Sequence, residues 1–267
     1  MKPTESIGIL ALSLAIGAPL FAHDTWIAPQ RASVSPGSVL ALDMTSGMAF
    51  PVLDHAIEPD RIASASCRLG GKRLELDRVK KAPNSLQLTA PLDAAGVATL
   101  WVSLKPRAIE LKPEEVEHYL DEVNAPDSVR KAWTGAGDRR RWREIYTKHS
   151  KTHVRVGEPS EDRSWSEPVG MALELLPEKD PTTLRRGDEL PVRVLKRGEA
   201  LPGISVGIVS EGGRPPVHRA TDRDGRIFVH LDRAGLWLLR GTEIRQSSAA
   251  GAEWESDFST LTIDVRP

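Results

Sequence analysis

His23 and Asp24 stand side by side in the phrase Ala22-His23-Asp24-Thr25-Trp26, where an apolar leader gives way to a water-soluble chain. Cleavage after Ala22 would make histidine the first residue and free its α-amine. Amine, imidazole and a neighbouring carboxylate are donors for a divalent transition metal such as nickel, cobalt or copper. Asp24 serves either as a ligand itself or as the acceptor that fixes the ring. Metal centres usually need three or four converging ligands. The candidate partners are His55, Glu243 and Glu253, with Met44 and Met48 as soft donors. The plainer alternative is that His23-Asp24 caps a first strand beside a packed Trp26. On that view the methionines fill core or loop space, and Glu253-Trp254-Glu255 is a solvated acidic loop around an aromatic anchor.

Other constellations carry less. His149 and His153 have the i, i+4 spacing of two ligands on a helix. The local pattern there is a helix end followed by a strand, so a charged surface is expected. Asp222-Arg223-Asp224-Gly225 opens like a calcium loop but lacks the glutamate at its twelfth position; a hairpin turn is expected instead. The chain has no Gly-x-Ser-x-Gly elbow, no His-Glu-x-x-His and no P-loop, so a non-catalytic role is expected. Cys67, the one cysteine, suits a small buried strand position. The 36 basic and 37 acidic residues nearly cancel, and no basic stripe is interleaved with aromatics, which argues against nucleic acid. Arg139-Arg140-Arg141 reads as a solvated helix face.

Residues 1–22 have the form of a signal peptide. Lys2 supplies a basic start, and Ile7 to Ala18 is apolar apart from Ser13. That run is shorter than the roughly 20 residues that span a bilayer. No later segment approaches that length, so the cleaved chain is expected to be periplasmic or secreted and not membrane-spanning.

The elements that must position these residues are mostly strands. Short alternating segments begin at Val39, Ala65, Ser85 and Gly96, with Pro36-Gly37 and Gly70-Gly71 as turns. Pro113-Glu114-Glu115 opens a helix carrying Val116, Tyr119, Leu120 and Val123 on one face. A second helical piece is expected from Asp138 to Lys148, with Trp142, Ile145 and Tyr146 together. Strand alternation returns at Thr152-His153-Val154. Beyond Pro177 come further strands at Leu190, Ile204, Ile227 and Leu236, the last as another edge, and a final strand over Ser259 to Val265. The expected fold is mainly β: two antiparallel β-sandwich domains, 23–176 and 177–267. A short helical insertion falls at about 107–150, and the second sandwich is of immunoglobulin or transthyretin type.

These residues also carry a family likeness. Ala22-His23-Asp24-Thr25-Trp26-Ile27, Ser46-Gly47-Met48-Ala49-Phe50-Pro51, Glu117-His118-Tyr119-Leu120 and Glu144-Ile145-Tyr146-Thr147-Lys148 are four of its phrases. Leu173-Glu174-Leu175-Leu176-Pro177, Thr221-Asp222-Arg223-Asp224-Gly225-Arg226 and Trp254-Glu255-Ser256 continue it. The chain resembles the domain-of-unknown-function 4198 family of exported bacterial proteins, grouped with periplasmic components of nickel or cobalt uptake. The resemblance implies an accessory that binds a transition metal and hands it to a membrane metal transporter. Where many members carry a His-Met pair, Glu243-Ile244 stands here, exchanging softer ligands for a carboxylate. Two alternatives accompany this expectation. One is a structural module presenting a surface to protein or glycan. The other is a copper-dependent oxidative enzyme built on the N-terminal histidine.

Overall fold

The computed structural model describes residues 23–137, 140–212 and 216–267, with only the backbone of Arg78 and Val79. The leader at 1–22 lies outside the described residues, as do Asp138 and Arg139. In chain order the first half comprises β1 (Asp24–Pro29), β2 (Ser33–Val34), β3 (Ser38–Gly47), β4 (His55–Ala56), β5 (Ile62–Leu69), β6 (Lys72–Glu75), β7 (Asp77–Lys81), β8 (Leu86–Leu92), β9 (Gly96–Leu104) and β10 (Arg107–Leu111). Two helices follow, α1 (Pro113–Glu122) and α2 (Asp127–Gly135), and then the long strand β11 (Trp142–Val156). The second half holds β12 (Leu173–Pro177), β13 (Glu189–Lys196), β14 (Glu199–Ala200), β15 (Ser205–Ser210), β16 (Val217–Ala220), β17 (Arg226–His230), β18 (Gly235–Gln246) and β19 (Trp254–Val265).

The fold is mainly β, as its alternating segments require. One sheet runs β1-β3-β8-β7, with β4 added to β3. A second, ten-stranded sheet runs β16-β15-β18-β19-β11-β9-β5-β6, with β10 and β2 against β11. A third holds β12, β13, β14 and β17. The first core lies between the first sheet and the β5-β9-β11 half of the large one, and includes Leu42, Met44, Leu88, Leu100 and Val154. The second lies between the third sheet and the β15-β18-β19 half, around Leu175, Val192, Val206, Leu239 and Ile263. Leu173 and Leu175 of β12 belong to this second core. A third cluster packs the two helices onto Trp142, Ile244 and Trp254.

The two sandwiches share one continuous sheet. β11 and β19 run parallel, from Glu144 opposite Trp254 to Thr152 opposite Thr262. Elsewhere the long ladders are antiparallel. Because side chains alternate along a strand, the even-numbered face of β11 passes from Trp142 under the helices to Val154 and Val156 in the first core. Its odd-numbered face carries Lys151, His153 and Arg155.

Several expectations hold in detail. Gly70 and Gly71 both adopt positive φ (57° and 71°), as a primed hairpin turn requires, and join β5 to β6. The helix beginning at Pro113 buries Val116, Tyr119 and Leu120. Cys67 is fully buried, and burial pushes its thiol up to about 12.

Others are corrected. The second helix lies at Asp127–Gly135, and the stretch expected as helix from 138 to 148 is, over its part from Trp142, the start of β11. Trp142, Ile145 and Tyr146 meet the helical spacing by coincidence. Pairing with β10 on one side and β19 on the other overrides that local pattern. β18 is not an edge but an interior strand between β15 and β19. Trp254 is not in a solvated loop: it opens β19 and stacks on Trp142 with ring centroids 4.5 Å apart. His149 and His153 are not a charged surface either, since both are buried in β11. His149 Nδ1 lies 2.8 Å from the Ser103 hydroxyl.

His153 gives a pH signature. Burial, with Lys151 and Arg68 nearby, holds its imidazole well below the ordinary value. The unfolded chain takes up a proton near pH 6.5 that the folded chain refuses. Its contribution to stability is therefore complete above that pH and is lost below it, at up to about 1.4 kcal/mol per pH unit. Urea unfolding at about pH 7.5 and about pH 5.5 should show a smaller acid loss for His153→Phe than for the natural chain.

Candidate metal centre and the adjoining cavity

The first sheet brings His23 and His55 together. Thr25 of β1 is opposite Ser46 of β3, and Ser46 is opposite His55 of β4. Thr25, Ser46 and His55 thus form one row, and His23, two residues before Thr25, shares their face. The Thr25 and Ser46 hydroxyl oxygens are 3.1 Å apart. The Thr25 carbonyl accepts from Ser150 at 2.8 Å and from Thr260 at 2.6 Å, fixing β1 to the shared sheet. The loop between β3 and β4 closes tightly because Gly47 has no side chain. A Cβ there would stand 2.8 Å from the Asp54 Cβ and 3.2 Å from the Trp26 ring.

The rings of His23 and His55 lie 5.4 Å apart between centroids, tilted by 36°. Asp54 Oδ2 is 3.2 Å from His55 Nδ1, which leaves Nε2 of His55 as the free donor and orients the ring. Burial, together with Lys148 and His55, lowers the pKa of His23, so its imidazole is neutral at pH 7, as a ligand must be. With metal–nitrogen bonds of about 2.0–2.1 Å, two imidazoles on one ion hold their centroids roughly 5–6.5 Å apart. The observed separation fits. Among the described residues no group of three or more His, Cys, Asp or Glu side chains is placed to hold a metal.

The other sequence candidates are engaged elsewhere. Asp24 points to the opposite face and pairs with Arg240 at 2.5 Å. Burial raises its pKa, against the pull of Arg240. Glu243 pairs with Lys196 at 2.5 Å and Arg245 at 2.6 Å, and Glu253 with Arg143 at 2.5 Å. Met44 is in the first core, and Met48 is half exposed.

The two histidines border a cavity of about 320 Å³. Lys148 and Tyr146 of β11, Phe258 of β19, Arg107 and Ile109 of β10, and Arg61 line it. Lys148 Nζ donates to the His23 carbonyl at 2.5 Å and lies 5.7 Å and 5.4 Å from the ring centroids of Tyr146 and Phe258. Burial brings its pKa down to about 8, with Asp24 and Glu122 opposing and Arg61 reinforcing the shift. Below the cavity, Glu144 accepts from Tyr119 at 3.0 Å, from Trp142 at 2.6 Å and from Ser256. Arg61 and Arg107 gave no sign in the sequence, since their roles depend on which loops meet across the fold. Lys148 lay in a family phrase, but its place beside His23 depends on an unexpected strand.

A mainly β, two-core chain with a histidine pair above a basic cavity is the class that fold and site define. The chain belongs to the DUF4198 family, described as a domain of unknown function, whose model matches residues 20–242. No curated protein matches it. Among solved structures it is similar to a 1.5-MDa bacterial ice-binding adhesin involved in host cell surface retention. Identity is 10%, covering 92% of this chain and 65% of that one, with a TM-score of 0.24. It is similar also to the adhesin InvE of Yersinia pseudotuberculosis, at 12% identity over 91% of this chain and 59% of that one, TM-score 0.23. A DUF4785 family protein of Legionella pneumophila gives 11% identity over 80% of this chain and 52% of that one, TM-score 0.26. The chain thus spans less than two thirds of the length of each of these three. Among the described residues no helix is long and apolar enough to cross a membrane.

Proposed function

We propose that this chain is an exported accessory of transition-metal handling, which holds a divalent ion at His23 and His55 and presents it to a membrane metal transporter. The observation that carries this reading is the 5.4 Å separation of the two imidazoles, set by the β1-β3-β4 ladder. Two imidazole ligands favour copper, nickel or zinc over harder ions. Asp54 holds the His55 tautomer. Glu243 is tied to Lys196 and Arg245. It therefore takes no part in the two-imidazole set.

The same pair favours a second reading, a copper oxidative enzyme, if the α-amine of His23 completes a three-nitrogen set. The oxidative reading requires that amine, and mass spectrometry of the chain recovered from the exporting cell tests for it. A first residue of His23 is expected. A chain that begins earlier lacks that amine and removes the oxidative reading. It also leaves metal capture to the two imidazoles alone.

A further inference from the structure

We propose that the cavity beside His23 and His55 is a binding site for a small organic anion. Its carboxylate would sit between Arg61, Arg107 and Lys148, and its apolar body against Leu104, Ile109 and Phe258. All six residues line one cavity of about 320 Å³, a volume in the range of small-molecule sites.

The charge balance of this cavity is what points to an anion. Among the described residues none of Arg61, Arg107 and Lys148 takes part in an ion pair. The one carboxylate on the lining, Glu58, is taken by Lys81. Asp24, Glu122 and Glu144 act on Lys148 from outside the lining, and Asp24 is itself paired with Arg240. Elsewhere in the chain partly buried cations have carboxylates at hand: Arg155 with Asp180, Arg245 with Asp257, Lys151 with Glu174. Arg61 and Lys148 are half-buried while Arg107 is exposed at the rim, and a half-buried cation loses solvation energy that a counter-ion restores. Arginine's planar fork and the ammonium of Lys148 match a carboxylate. The aliphatic and aromatic walls give the rest of the ligand an apolar surface to cover, which a bare inorganic ion would leave wet.

The site does not rest on the metal reading, because its three cations come from the loop after β4, from β10 and from β11, not from the histidine pair. The test uses the full mature chain stripped of metal with a chelator and titrated calorimetrically with benzoate, phenylacetate, adipate, inorganic phosphate and benzamide. Saturable binding of at least one organic carboxylate is expected, with none of benzamide, the uncharged isostere of benzoate. Arg107→Gln and Arg61→Gln, both at non-core positions, should each weaken the carboxylate at least about ten-fold. Glu253→Gln, at a residue that does not line the cavity, should leave it within about two-fold. Equal binding of benzamide and benzoate, unchanged affinity in both arginine variants, or no carboxylate binding at all would overturn the proposal. Binding of phosphate alone would overturn the assignment to an organic anion. Loss of carboxylate binding in Arg107→Gln with metal binding retained separates this site from the metal centre.

Discussion

Lys151→Met should destabilise the protein by about 3–5 kcal/mol, the cost of leaving one partner of a buried ion pair uncompensated. Lys151 Nζ lies 2.7 Å from Glu174 Oε1, with side chains 1% and 2% exposed. Burial lowers the Lys151 pKa, and Glu174 opposes that shift. Glu174 also accepts from the backbone N–H groups of Val169 and Gly170 at 3.0–3.1 Å. The pair therefore joins the odd-numbered face of β11 to β12, tying the shared sheet to the third one. Removing the ammonium strands the carboxylate. Adding Glu174→Gln to Lys151→Met should recover more than half of the loss, because the amide oxygen still serves the two backbone donors and no charge remains buried. Urea unfolding of the two variants checks this. Equal stabilities would mean that lost packing, not a stranded charge, is the cause.

How much of this was legible in the sequence depended on how local the cause is. The β5–β6 hairpin was visible in Gly70-Gly71, and α1 in Pro113 and the acids after it, since turns and caps are decided within a few residues. β9 was visible as an alternating run from Gly96 to Leu104. The stretch from Trp142 to Lys148 was not, because its aromatic and aliphatic residues satisfy two periods at once. Its partner β19 is over a hundred residues away and pairs with it in parallel. That one ladder makes two expected sandwiches share a sheet, and it sets Tyr146 and Lys148 beside Phe258.

The site divides in the same way. His23 and His55 were visible as residue types, but their meeting depends on Ser46 standing between Thr25 and His55 in one row. Asp24 and Glu243 were equally plausible as ligands from chemistry alone. Alternation turns Asp24 to the other face, and Glu243 sits in a cross-strand cluster with Arg245 and Asp257. Carboxylates with arginine partners at 2.5–2.6 Å are poor donors, since a metal would have to displace a charge-assisted hydrogen bond.

The central claim is that two imidazoles 5.4 Å apart hold the ion. In such a site each ring supplies a direct bond to the metal, so His23→Ala and His55→Ala should each lower affinity at least about 100-fold. Asp54→Asn, which only loosens the His55 ring, should lower it by roughly ten-fold. Glu243→Gln and Glu253→Gln should leave it unchanged. The decisive measurement is calorimetric titration of the mature chain and these variants with copper(II) and nickel(II). A single site per chain, lost in both histidine variants and kept in both glutamate variants, is the expected result. Equal binding by the natural chain, His23→Ala and His55→Ala would contradict the metal centre and leave the fold as a structural module.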